Sequence, residues 1–118
     1  MGHMQTQIMA AAQNAVAAQA GANVQFVNQP QYANHGVVYL CTRDFDSLGA
    51  FTYDFQDTYA SLSIVEPGRK PQHTIGFTAD GQTDYRIDYH DAASIQRFLT
   101  ALREALRVNW STLPGVAS

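Results

Sequence analysis

Polar and apolar positions alternate most cleanly over residues 83–90, where Tyr85, Ile87 and Tyr89 are interleaved with Asp84, Arg86, Asp88 and His90. That is the two-residue period of a strand with one buried face. Upstream, residues 73–78 place Ile75 and Phe77 on one side, with the turn residues Asp80 and Gly81 between the two runs. A two-residue turn at Asp80-Gly81 would set Phe77 opposite Asp84 and send the two apolar sets to different faces. A three-residue loop, Ala79-Asp80-Gly81 with Gly81 left-handed, pairs Ile75 with Tyr85 and Phe77 with Thr83, and is the form consistent with a single buried face.

From Asp91 the period changes to that of a helix. Ile95, Phe98, Leu99, Leu102, Leu106 and Trp110 form one stripe, while Gln96, Thr100, Arg103, Glu104 and Arg107 occupy the other side. Asp91 is placed to cap the free N–H groups of the first turn, and Leu113-Pro114-Gly115 to end the helix. Burying such side chains stabilises by roughly 1.5–3 kcal/mol each before entropy is counted. The stripe therefore predicts a helix laid across the sheet.

The earlier chain reads less sharply. Residues 4–20 are rich in Ala and Gln, and Ile8, Met9, Ala12, Val16 and Gln19/Ala20 give a weak helical stripe closed by Gly21. A short uncharged helix has little stability alone, so it either docks on its own sheet, frays, or inserts as an arm into a neighbouring subunit. Residues 24–27 and 36–42 predict two strands, with Pro30 demoting or breaking the first. Val37 to Cys41 is apolar on both faces and belongs inside the sheet. Residues 44–49 read as a turn. In 50–56 the alternation of Phe51, Tyr53 and Phe55 suits a strand, although Leu48, Phe51 and Phe55 also fit a short helix. Residues 60–66 predict another strand with Leu62 and Ile64 inward, and 67–71 a turn.

The expected fold is α+β: a five- or six-stranded, mostly antiparallel sheet with an N-terminal helix and a long C-terminal amphipathic helix packed on it. Residues 1–3 read as a cloning remnant before a native start at Met4. Residues 4–22 form the uncharged helix or arm, 23–113 a single domain and 114–118 a tail.

Composition narrows the function classes. At 118 residues the chain has room for one core. All seven basic and ten acidic residues lie from Arg43 onward, and the net charge of -3 argues against duplex DNA or anionic membranes as partners. One cysteine, Cys41, excludes an internal disulfide and a Cys-rich zinc site. The simpler expectation is a cytoplasmic protein, although a mature chain with its signal removed would look the same. One lysine against six arginines, with abundant alanine, fits a GC-rich bacterial or phage genome.

No catalytic set emerges. Asp88, His90 and Asp91 form a metal-compatible trio, but Asp91 is accounted for as a cap and the other two as a solvent-side strand face. Asp44 and Asp46 read as a cap and a turn. Cys41 sits in the most apolar strand, where a thiol is inert, and His35 and His73 have no orienting acid beside them in sequence. The scattered glycines make no phosphate loop. The expectation is therefore no enzyme, no metal and no cofactor.

What remains is binding. Tyr85, Tyr89, Arg86, Arg97, Arg103 and Arg107 are the candidate partner-binding residues, aromatic surface in the middle and arginines at the rim. The leading expectation is a non-enzymatic homodimer that engages or regulates a protein partner. Single-stranded nucleic acid is the alternative, because bases stack on aromatic strands and phosphates pair with Arg. Sheet followed by a C-terminal helix is similar in order to dimeric single-strand binders of the transcriptional-coactivator type. The final hairpin and helix are likewise similar in order to small acidic chaperones of secretion effectors, whose fold would require a helix near residues 46–53.

Overall fold

A computed structural model of the chain describes residues 2–20, 24–72 and 80–110, with the side chains of 2, 20 and 107–110 left out. Helix α1 (Gly2–Ala20) is followed by strands β1 (Val24–Tyr32), β2 (His35–Thr42), β3 (Ser47–Phe55), β4 (Tyr59–Val65) and β5 (Gln82–Asp88), then helix α2 (Ala92–Trp110). The five strands pair antiparallel in sequence order, β1-β2-β3-β4-β5. This is the α+β meander with a helix at each end that the periodicity predicts. The run at 73–78, expected as the first strand of the final hairpin, lies outside the described residues. So do the helix stop at 113–115 and the side chain of Trp110.

Both helices cover one face of the sheet. Ile8, Ala12 and Val16 of α1 and Phe98, Leu99, Leu102 and Leu106 of α2 share a single core with Val38, Leu40, Phe51, Tyr53, Phe55, Leu62 and Ile87. The uncharged N-terminal helix thus docks within its own chain, where Ile8 is 1% exposed. It is pinned at one end by the Gln5 carboxamide, which donates to the Ala33 carbonyl at the β1–β2 turn at 2.9 Å. Phe98 of α2 meets Phe51 and Tyr85 edge-on, with ring centroids 5.5 and 5.9 Å away, the arrangement that aromatic quadrupoles favour.

The other face carries a smaller cluster of Val37, Ala50 and Val65 with Tyr39 packed beside it. Thr52, Ser63 and Gln82 on this face are also buried. The Gln82 carboxamide bonds both the N–H and the carbonyl of Gln72, at 3.1 and 2.7 Å, and so holds the β4–β5 connection against this face. Burial on both sides explains why the middle of β2 reads as apolar throughout.

Several boundaries differ from the periodicity. β1 continues through Pro30 to Tyr32, because it is an edge strand and the missing N–H falls where the register shifts. β3 begins at Ser47, within the stretch expected as a turn. Its first residues bulge against Leu40/Cys41, with Gly49 at φ 120°. The bulge turns Leu48 onto the helix face beside Phe51, and that i, i+3 spacing is what imitates a helix in the sequence. β5 ends at Asp88, and Tyr89 and His90 form the turn into α2. Gly81 is left-handed, at φ 74°, while the pairing of Ile75 with Tyr85 and of Phe77 with Thr83 expected around it lies outside the described residues.

Tyr53 ties the edge to the centre. Its ring passes over Gly36 on β2, and its hydroxyl donates to Asn28 Oδ1 on β1 at 2.8 Å. A Cβ at Gly36 would lie 2.7 Å from that hydroxyl and 2.6 Å from the Gln29 carbonyl oxygen. Burial raises the pKa of Tyr53, opposed by the Asn28 bond, and burial with Asp54 and Asp57 raises that of Tyr89.

Gly36→Ala is expected to lower the unfolding free energy by about 1–3 kcal/mol in urea denaturation, the range for overpacking. The two phenols hold their protons in the folded state above the pH at which unfolded tyrosine, near pKa 10, loses its own. Stability is therefore full below about pH 10 and falls as pH rises beyond it. Urea midpoints between about pH 9 and pH 11 should show this fall, and Tyr53→Phe should flatten it.

Candidate functional site

The strand–helix junction that carries most of the sequence candidates is built for structure. Asp91 Oδ1 accepts from the Ala93 N–H at 3.1 Å, the expected cap. The Ser94 hydroxyl accepts from the Asp88 N–H at 3.0 Å and lies 2.7 Å from the Asp91 carbonyl oxygen, which stitches β5 to α2. Asp88 Oδ1 accepts from the His90 N–H at 2.9 Å. Among the described residues no three His, Cys, Asp or Glu gather as a metal-binding group. Cys41 is buried, and burial raises its pKa, which disfavours the thiolate. His73 lies outside the described residues.

The six candidate binding residues do not form one surface. Tyr85 is half-buried beneath Phe98. Tyr89 is half-buried with its hydroxyl donating to the Gln56 carbonyl at 2.8 Å. Arg86 points to the opposite face, its guanidinium 4.0 Å above the Tyr59 ring. Arg97 is exposed on α2, 3.8 Å from Asp91, and Arg103 is half-buried, 3.4 Å from the Thr100 hydroxyl. Arg107 belongs to α2, with its side chain outside the described residues. Phe51 and Phe55 are wholly buried, so the aromatic strand pattern is a core face and not a stacking platform.

The feature that sequence reasoning passed over stands at the end of the sheet where β2 turns into β3. The Phe45 N–H donates to the Thr42 carbonyl, and the Thr42 N–H to the Asp46 carbonyl, both at 2.9 Å. The Thr42 hydroxyl accepts from the Asp46 N–H at 3.0 Å. This three-residue loop needs a left-handed residue at its last position, usually Gly. Phe45 occupies it, at φ 66°. The residue is 73% exposed. Phe45 is thus a bulky residue in a conformation that bulky residues avoid, displaying a phenyl ring to water. The available signal was negative: a predicted turn holding an aromatic residue between Asp44 and Asp46, with neither Gly nor Asn at the turn.

At the same end of the sheet lies a cleft of about 530 Å³ between α2 and the strands. Ala101, Leu102, Ala105 and Leu106 form its helical wall, and Leu40, Leu48, Ile64 and Tyr85 its floor. The cleft exists because two alanines and Gly49 stand where larger side chains would close it. Glu66 and Thr83 supply polar groups to its lining. The other most exposed large ring, Tyr32 at 68%, stands at the opposite end and lies 4.6 Å from the His35 ring.

Comparison with known proteins returns nothing: no family model, no curated protein and no solved structure matches the chain. Function must therefore be argued from the site itself. Among the described residues no helix is long and apolar enough to cross a membrane. The middle helix that the secretion-chaperone order would require is absent from residues 47–55, which form β3.

Phe45→Gly is expected to raise the unfolding free energy by about 1 kcal/mol, because glycine takes the left-handed conformation without steric penalty. The check is the urea midpoint against the wild type, at a concentration where both are monomeric. A loss of stability would mean that the ring packs on its own chain.

Proposed function

We propose that the chain is a non-enzymatic binding module that docks another polypeptide at the β2–β3 end of its sheet. The observation that supports this reading above all is Phe45, an exposed phenyl ring held in an unfavourable backbone conformation a few residues from an apolar cleft. A protruding aromatic side chain beside a hydrophobic recess is the usual form of a protein-binding hot spot. Ordinary folding selects against both features, since the ring gains nothing in the isolated chain and the recess forfeits packing. The arginines of α2 do not line the cleft: Arg97 stands beside Asp91 near the helix start, and Arg103 beside Thr100.

Single-strand nucleic-acid binding through the sheet is less well supported. Tyr85 and Arg86 point to opposite faces, and the middle of the face that carries Arg86 is already buried.

The test is site-specific photo-crosslinking. With p-benzoylphenylalanine in place of Phe45, irradiation in a lysate of the source organism should yield a discrete polypeptide adduct. The same probe at Gln13, exposed on α1, should not. Equal labelling from both positions, or none from position 45, overturns the reading.

A further inference from the structure

We infer that the polypeptide docked at this end is a basic segment, one whose lysines or arginines flank the apolar side chains that enter the cleft. The inference rests on the reading that this end of the sheet binds protein, and it states the chemistry of the partner. The recess itself is apolar. Alanines and leucines of α2 face Leu40, Leu48 and Ile64 across about 530 Å³, within the range of about 300–1,000 Å³ in which pockets seat a ligand. A segment laid into such a groove is anchored by its apolar side chains and keeps its polar ones at the edge. The charges left unpaired at that edge are acidic.

Glu66 is the charged residue in the lining. The β3–β4 register sets Val65 against Ala50, which brings Glu66, the next residue, beside Gly49. Its N–H donates to the Gly81 carbonyl at 2.9 Å and its carbonyl accepts from the Arg69 N–H at 3.2 Å, yet the residue is exposed. A held backbone thus presents this carboxylate to water. Asp44 and Asp46 stand exposed on either side of Phe45, on the loop that leads into Leu48. None of the three carboxylates forms an ion pair with a described residue. The basic residues nearby in the chain are engaged elsewhere or lead away. Arg43 already has a partner, Arg69 pairs with Asp80 at 3.2 Å, and Lys70 leads into Gln72, which bonds Gln82 on the opposite face. Unpaired carboxylates around an apolar recess and an exposed ring attract a cationic segment, orient it and repel an acidic one. Lysine and arginine suit both parts of such a surface, because their methylene stems lie on apolar groups while their charged heads reach outward.

The test is peptide selection. A phage library displaying short random peptides is selected on the wild type and depleted on Ala105→Trp, which fills the cleft. Ala101→Phe replaces that variant where far-UV circular dichroism shows that the tryptophan prevents folding. The recovered peptides should combine Leu, Phe, Met or Trp with Lys or Arg. The most enriched peptide, fluorescein-labelled and followed by anisotropy, should bind at least about 10-fold more weakly when Asp44→Asn, Asp46→Asn and Glu66→Gln are combined. Its binding to the wild type should also weaken as salt is raised to about 0.5 M. Recovered peptides that are acidic or uncharged overturn the inference, and so does binding that the combined variant keeps at wild-type strength. A selection that returns no cleft-dependent peptide overturns it as well. In each case a discrete adduct from position 45 leaves the docking reading standing and removes only the basic partner. No adduct from position 45 removes both.

Discussion

The fold depends on Phe98 being wedged edge-on against Phe51 and Tyr85. These contacts join α2 to the central strand β3 and to β5 at once. β4 ends at Val65 and β5 begins at Gln82, so the place of β5 in the sheet is not set by a tight turn. It is set by the ladder with β4 and by the helix that follows it directly. The Ser94 hydroxyl and the Asp91 cap fix where α2 starts, and the start fixes which turn of the helix reaches Phe51. A shift of one residue in β5 would turn Tyr85 and Ile87 outward and leave Phe98 facing Asp84 and Arg86.

With α2 so placed, α1 has a defined berth. Both helices start at the end of the sheet that holds the β1–β2 turn, since Gln5 reaches Ala33 there and α2 follows Asp88, the partner of Tyr59. They run in the same direction on one face and share the core through Ile8, Ala12, Val16, Phe98 and Leu102. The absence of charge on α1 is compatible with this packing but does not require it, because its outward side chains at Thr6, Gln7, Gln13 and Asn14 are exposed. A helix of this composition would be marginal alone. Its order comes from the apolar stripe.

The elements most legible in the sequence were those whose burial is one-sided. α2 and β5 keep a strict period because one side meets the core and the other meets water, and the residues read as inward, from Phe98 to Leu106 and at Ile87, are buried. β3 was ambiguous for a mechanical reason. The bulge at Leu48-Gly49 inserts one residue, so Leu48 and Phe51 reach the same face at helical spacing while the backbone remains a strand. β1 was cut short by weighing Pro30 as a breaker, whereas an edge strand loses little from a missing donor on its unpaired side. Of the binding candidates, Tyr85 and Tyr89 lie half-buried against the core. That Arg86 points away from Tyr85 follows from the two-residue period itself; what the packing adds is its place over the Tyr59 ring.

Phe45 was illegible for a different reason. Sequence reading finds turns by the residues that suit them, and here the turn holds a residue that does not. Everything else at this end follows local rules: Thr42 bonds the loop through its hydroxyl, Gly49 takes the φ that the bulge demands, and Gly81 closes the neighbouring connection. A single violation among satisfied neighbours is not general strain, because the same loop with glycine would close with less strain. The retained phenyl ring and the alanine-lined cleft beside it both forgo stability in the isolated chain. Both become favourable when a complementary surface covers them, and that shared condition links them more firmly than proximity alone.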